Sequence, residues 1–103
     1  MKLITKEIES KLMKSPLYSG EETPIEERKI IVKFFNPCGA GRWYVLEAEK
    51  QEDGDWLFYG YVDLLEKEFG YFTLSQLEEV RLPYGLKIER DLYFKNRMLK
   101  EVM

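Results

Sequence analysis

The sequence predicts an α+β fold: a single domain over residues 1–103, with a mainly antiparallel sheet of four to five strands, an N-terminal helix and a second short helix. Three observations carry this expectation. Runs rich in β-branched and aromatic residues recur at 29–36, 42–50 and 56–62, each bounded by short turn-forming segments. One of those segments contains Asp53-Gly54, a strong hairpin signal because both central positions of the favoured turn need positive φ. Apolar residues at helical spacing are confined to two short stretches, so helices are the minor component. A chain of 103 residues suits one modest core.

The elements follow in order. Leu3–Lys14 reads as an amphipathic helix, since Ile4, Ile8 and Leu12 recur every four residues and share one face. Thr5 is a suitable N-cap, and Pro16 stops the helix by disfavouring the helical region at the residue before it. Ser15–Pro24 reads as loop. Lys29–Asn36 is a strand, apolar on both faces and therefore expected near the sheet centre. Residues 37–41 connect it to Arg42–Lys50. Uninterrupted alternation there puts Trp43, Val45 and Glu47 on one face and Tyr44, Leu46 and Ala48 on the other. Gln51–Asp55 is the hairpin turn, and Trp56–Val62 the third strand. Asp63–Phe69 permits a helical turn, and Gly70–Thr73 a short strand. Ser75 with Glu78 fits a capping box opening the second helix. Pro83-Tyr84-Gly85 ends that helix. Leu86–Phe94 reads as the last strand, and Lys95–Met103 as a frayed end or a terminal helical turn. The expected core is Ile8, Leu12, Ile30, Val32, Phe34, Tyr44 and Leu46, joined by Leu57, Tyr59, Phe72, Leu77, Ile88 and Leu92.

Composition excludes several chemistries. The chain has no histidine, which removes the Ser-His-Asp, Cys-His and histidine–metal designs. Its one cysteine, Cys38, cannot form an internal disulfide, so folding is independent of oxidation. Charges run through Met1–Lys14 and leave no apolar segment for a signal peptide, and no apolar run reaches membrane-spanning length. The expectation is a cytoplasmic protein with no membrane partner. The net charge of −3 is mild but unevenly placed. Between Tyr44 and Val80 ten acidic residues face two basic ones, Lys50 and Lys67, whereas the stretch from Arg81 onward is basic. This pattern suits an acidic surface that meets a basic partner.

Each chemistry-bearing motif has an ordinary structural account. Gly39 and Gly41 could expose amides to an anion, but a strand follows them where a phosphate loop needs a helix. Glu52, Asp53 and Asp55 lack the spacing of a calcium loop and read as a solvated turn; no metal is expected. Cys38 has Arg42 nearby but no histidine base. Glu47 with Glu49, and Glu89 with Asp91, are carboxylate pairs of the kind that can serve general acid–base chemistry. Such pairs also arise from plain outward alternation on a strand. No cofactor is implied.

Four blocks together resemble a known family: Phe34-Phe35-Asn36-Pro37-Cys38-Gly39; Trp43-Tyr44; Gly70 to Leu77 (GYFTLSQL); and Gly85 to Phe94 (GLKIERDLYF). Leu3-Ile4-Thr5 and Pro16-Leu17-Tyr18 are similar too, so the resemblance spans nearly the whole chain. The chain is similar to the domain of unknown function 2958 family, small proteins carried by plasmids, phages and integrative elements. The resemblance implies an accessory role on a mobile element and transfers no catalytic residue.

Three functional expectations follow. The first is a non-enzymatic module that binds a host or element-encoded protein, with Arg42, Trp43 and Trp56 as anchors, because Trp and Arg dominate interface energetics. The second is nucleic-acid binding through Arg42, Trp43, Arg90 and Lys95, which pair basic groups with rings. The third is a carboxylate-based enzyme using Glu89 and Asp91. A continuous basic patch would favour nucleic acid, and an acidic or aromatic one a protein. No residue demands a particular oligomeric state.

Overall fold

A computed structural model describes residues 2–103. Helix α1 spans Lys6–Met13, and the Thr5 side chain caps it by accepting from the Ile8 N–H at 3.2 Å. The strands are β1 (Val32–Phe35), β2 (Arg42–Lys50), β3 (Trp56–Asp63), β4 (Lys67–Thr73) and β5 (Glu89–Arg90); helix α2 is Leu74–Glu79. The sheet order is β4-β3-β2-β1-β5, with every neighbouring pair antiparallel. The fold is the predicted α+β arrangement.

Both faces of the sheet are covered. One carries the larger core, where Phe34, Val45, Trp56, Phe58 and Phe72 pack beneath Leu3, Ile4 and Leu12 of the N-terminal segment and Leu77 of α2. The other carries Tyr44, Leu46 and Tyr61 beneath Leu99, with Ile25 and Val102 at its margin. Ile25 and Leu99 come from short 3₁₀ turns, Ile25–Glu27 and Leu99–Glu101, and Val102 closes the second. The double cover explains why residues 30–34 are apolar on both faces: Ile30 serves the second core, whereas Val32 and Phe34 serve the first. The expectation of an interior strand holds: β1 is paired on both sides, between β2, the middle strand, and the two-residue β5.

A β-bulge interrupts β2. Val45 pairs with Gly60 and Glu47 with Tyr59, so Leu46 is an extra residue without a partner on β3. The expected alternation therefore fails beyond Leu46. Ala48 joins Val45 and Phe58 in the first core, and Glu47 turns to the second face. Gly60 is required at this point, because a Cβ there would collide with the Tyr44 carbonyl oxygen.

Other departures have local causes. The ambiguous stretch after Asp63 is a tight turn, with the Leu64 N–H donating to the Glu66 carbonyl, and β4 starts at Lys67. The cap of α2 is Thr73, not Ser75. Thr73 accepts from the Gln76 N–H at 3.1 Å, and the Gln76 side chain accepts from the Thr73 N–H at 2.8 Å. Ser75 is occupied elsewhere, its hydroxyl 2.6 Å from Asp55 Oδ2. Helix α2 ends at Glu79, ahead of Pro83.

The last strand keeps only Glu89 and Arg90 of the expected nine residues. Asp91 turns the chain away by accepting from the Tyr93 N–H at 3.0 Å, an Asx-type turn, and Leu92 is left 53% exposed instead of in the core. The chain returns to the sheet at Arg97, whose carbonyl accepts from the Ile30 N–H. Leu99 then buries fully in a terminal turn. Of the other expected core residues, Ile8, Leu57 and Tyr59 are half-buried, whereas Phe58, Tyr61 and Leu99 join the core unanticipated.

Candidate binding surfaces

The bulge positions the first surface. Glu47, 5% exposed, accepts from the backbone N–H groups of Tyr18 at 2.8 Å and Gly20 at 3.0 Å. Arg28 Nη1 lies 3.5 Å from its Oε2 and balances the buried charge. The loop after α1 is thus pinned across the second face of the sheet. Tyr18, at φ 70°, is held beside β4, where its side chain shares a hydrogen bond with Tyr71. That bond, followed by a smaller desolvation effect, raises the Tyr71 phenol above the usual tyrosine range.

On β4 itself, Phe69 and Tyr71 share the second face because alternation sends Glu68, Gly70 and Phe72 to the other. Tyr59 stacks on Phe69 at 6.4 Å between ring centroids and meets Tyr71 at 5.1 Å; Phe69 also meets Tyr61 at 5.1 Å. The rings continue inward through Tyr44 to Phe94. Burial holds the Tyr44 phenol above its ordinary range, against the nearby Arg42. At the sheet edge the ladder emerges: Tyr71 is 53% exposed, and Phe69 and Tyr18 are exposed too. Leu65 in the β3–β4 turn is 98% exposed. Among the described residues, strand β4 has a neighbour on one side only. Glu66 precedes it in the turn, and alternation puts Lys67 on the face of Phe69 and Tyr71 and Glu68 on the other.

The second surface is a groove of about 840 Å³ at the β1 side of the sheet, between α1 and residues 90–96. Strand β5 creates it by leaving β1 after Arg90. Its lining brings Arg90 and Lys95 together with Lys11, Lys14, Lys29 and Lys33. Asp91 is ion-paired there to Lys33 at 3.2 Å, and Glu7 to Lys11 at 3.8 Å.

The residues singled out from sequence are dispersed. Trp56 is corrected outright as an anchor: it is 3% exposed within the first core, with Lys50 Nζ over its ring at 5.9 Å. Trp43 is half-buried against the same core. Arg42 points to the opposite face, 3.9 Å from Asp63 of β3, and lines a small hollow of about 190 Å³ with Lys33 and Asp91. Arg90 donates to the carbonyls of Lys2 at 2.6 Å and Leu3 at 3.1 Å, tying β5 to the N-terminal segment. Glu89 lines a separate shallow pocket near Leu3 and Leu86. Trp43 thus does not share a surface with Lys95, Arg42 reaches only a hollow that adjoins the groove through Lys33 and Asp91, and Glu89 lines a different pocket from Asp91. Sequence reasoning missed Phe69, Tyr71 and Tyr18 as a group. The alternation of Phe69 and Tyr71 was a usable signal, lost because the strand was started at Gly70. Nothing local signalled that Tyr18 would join them.

The architecture defines the protein as a small α+β domain whose five-stranded antiparallel sheet is covered on both faces. A family model described as "Protein of unknown function (DUF2958)" matches residues 3–100, and the chain belongs to that family. No curated protein and no solved structure matches it. Among the described residues no helix is long and apolar enough to cross a membrane.

Proposed function

We propose that this domain is a non-enzymatic accessory protein of a plasmid, phage or integrative element, and that it binds a host or element-encoded protein through the ring-bearing face of β4. The carrying observation is the emergence of the aromatic ladder as Phe69, Tyr71 and Tyr18 beside an edge strand with no outer neighbour. Rings that are pre-packed on one side lose little conformational freedom when a partner covers the other. The carboxylates available for catalysis have structural work instead: Glu47 holds a loop, Asp91 pairs with Lys33, and Asp55 holds Ser75. The accessory role rests on the family resemblance.

The experiment is affinity capture from host lysate with nuclease present, comparing the parent with Tyr71→Ser and Phe69→Ser. The reading expects one specific protein retained by the parent and lost from both variants, each first checked for native circular dichroism. A partner that binds the variants equally, or capture abolished by nuclease, would overturn it.

A further inference from the structure

We infer that the lysine-rimmed groove between α1 and residues 90–96 is a docking site for an acidic peptide segment carrying aliphatic side chains, on the edge of the sheet opposite the ring-bearing strand. The groove collects six cationic side chains, Lys11, Lys14, Lys29, Lys33, Arg90 and Lys95, against two acidic ones, Glu7 and Asp91. Both acids are already paired. Lys14, Lys29 and Lys95 have no carboxylate within ion-pairing distance among the described residues, and all three are exposed. Lys11 and Lys14 also complement the C-terminal end of the α1 dipole, which accounts for their presence on the helix. It does not account for Lys29 and Lys95, which reach the same rim from separate parts of the chain.

The floor selects the class of anion. It is formed by Ile8, Ile31, Leu92 and Phe94, none of them fully buried, with Leu92 exposed. A phosphodiester strand needs free aromatic platforms, and forked guanidinium groups suit its phosphates best. Here the one ring, Phe94, is packed on Tyr44 at 5.9 Å, and Arg90 donates to the Lys2 and Leu3 carbonyls. Lysines are mobile point charges, able to meet carboxylates spaced along a peptide while aliphatic groups settle between them. The eight residues of α1 run for about 12 Å, the span of roughly four extended residues, so a short segment fills the groove.

The test is selection of a random peptide display library on the intact protein and, in parallel, on the double variant Lys29→Glu/Lys95→Glu, both checked for native circular dichroism. The expected peptides are enriched in Asp and Glu interleaved with Leu, Ile or Val. They should bind the parent at least roughly tenfold more tightly than the double variant, and more weakly as salt rises. Leu92→Ser should weaken them while leaving the salt dependence unchanged. Three results overturn the inference: no acidic enrichment, selected peptides that bind the double variant equally, or an oligothymidine that binds the parent more tightly than those peptides do.

Discussion

The carboxylate of Glu47 accepts a hydrogen bond from the backbone N–H of Tyr18 at 2.8 Å, joining the middle of the sheet to a loop 29 residues earlier in the chain. The contact exists because the bulge at Leu46 turns Glu47 out of the first core and toward that loop. Replacing Glu47 by Ala leaves two part-buried N–H groups without acceptors and the Arg28 guanidinium without its partner. The expected loss is about 3 kcal/mol of unfolding free energy, read from the urea midpoint. Glu47→Gln keeps one acceptor and should lose less. Hydrogen exchange at Tyr18 and Gly20 should accelerate in both variants before any effect on β3 amides. A loss in Glu47→Ala below about 1 kcal/mol would mean the loop is held by something else.

Gly60 lies against β2, with no room for a side chain. A methyl group there would collide with the Tyr44 carbonyl oxygen, which belongs to a strand paired on both sides and cannot swing aside. Gly60→Ala should therefore destabilise the protein by roughly 3 kcal/mol or leave it unfolded. Gly70 faces Gly60 across the β3–β4 ladder but meets nothing within 4 Å, so Gly70→Ala should change stability by less than about 1 kcal/mol. Thermal unfolding of the pair separates a packing requirement from a general intolerance of substitution in the sheet.

Asp55 links the β2–β3 hairpin to α2. Partial desolvation raises its pKa, but hydrogen bonds from the Ser75 hydroxyl and from the Trp56 and Ser75 amides outweigh this and hold it below the usual aspartate range. With the folded pKa below the unfolded one, the unfolded chain binds more protons between the two values, so stability falls as pH falls. The contribution is complete above about pH 4 and disappears as pH drops through the folded value. Acid unfolding of the parent should show this loss, and Asp55→Asn should flatten it over that window. An unchanged acid limb in Asp55→Asn would assign the acid sensitivity to other carboxylates.

Several elements were legible because their causes are local. Thr5 caps α1 as its position ahead of an apolar stripe predicts, and the β2–β3 hairpin turns at Gln51–Asp55 as expected, although only Gly54 of the Asp53-Gly54 pair takes positive φ, at 90°. The cap of α2 was misplaced by two residues: Thr73 and Ser75 both suit the role, and only the contact of Ser75 with Asp55, 20 positions away, distinguishes them. The surfaces were less legible. Trp56 has the composition of an anchor, but the cover over the first face takes it inside. Leu92 has the pattern of a core residue, but Asp91 ends the strand one position earlier.

The sequence by itself determined the α+β class, the positions of β2 and β3, the short N-terminal helix and the exclusion of histidine chemistry, since composition, alternation and turn residues act over a few positions. The tertiary structure alone decided the order of the strands, the side that each residue beyond Leu46 faces, and the two surfaces. One inserted residue reverses the orientation of all that follow it on a strand, and periodicity carries no sign of which residue will be inserted. The groove lysines are brought together, and so are the edge rings, only by tertiary proximity. That proximity comes from the buried ion pair of Glu47 with Arg28 and from the turn at Asp91, both of which join segments that no local pattern connects.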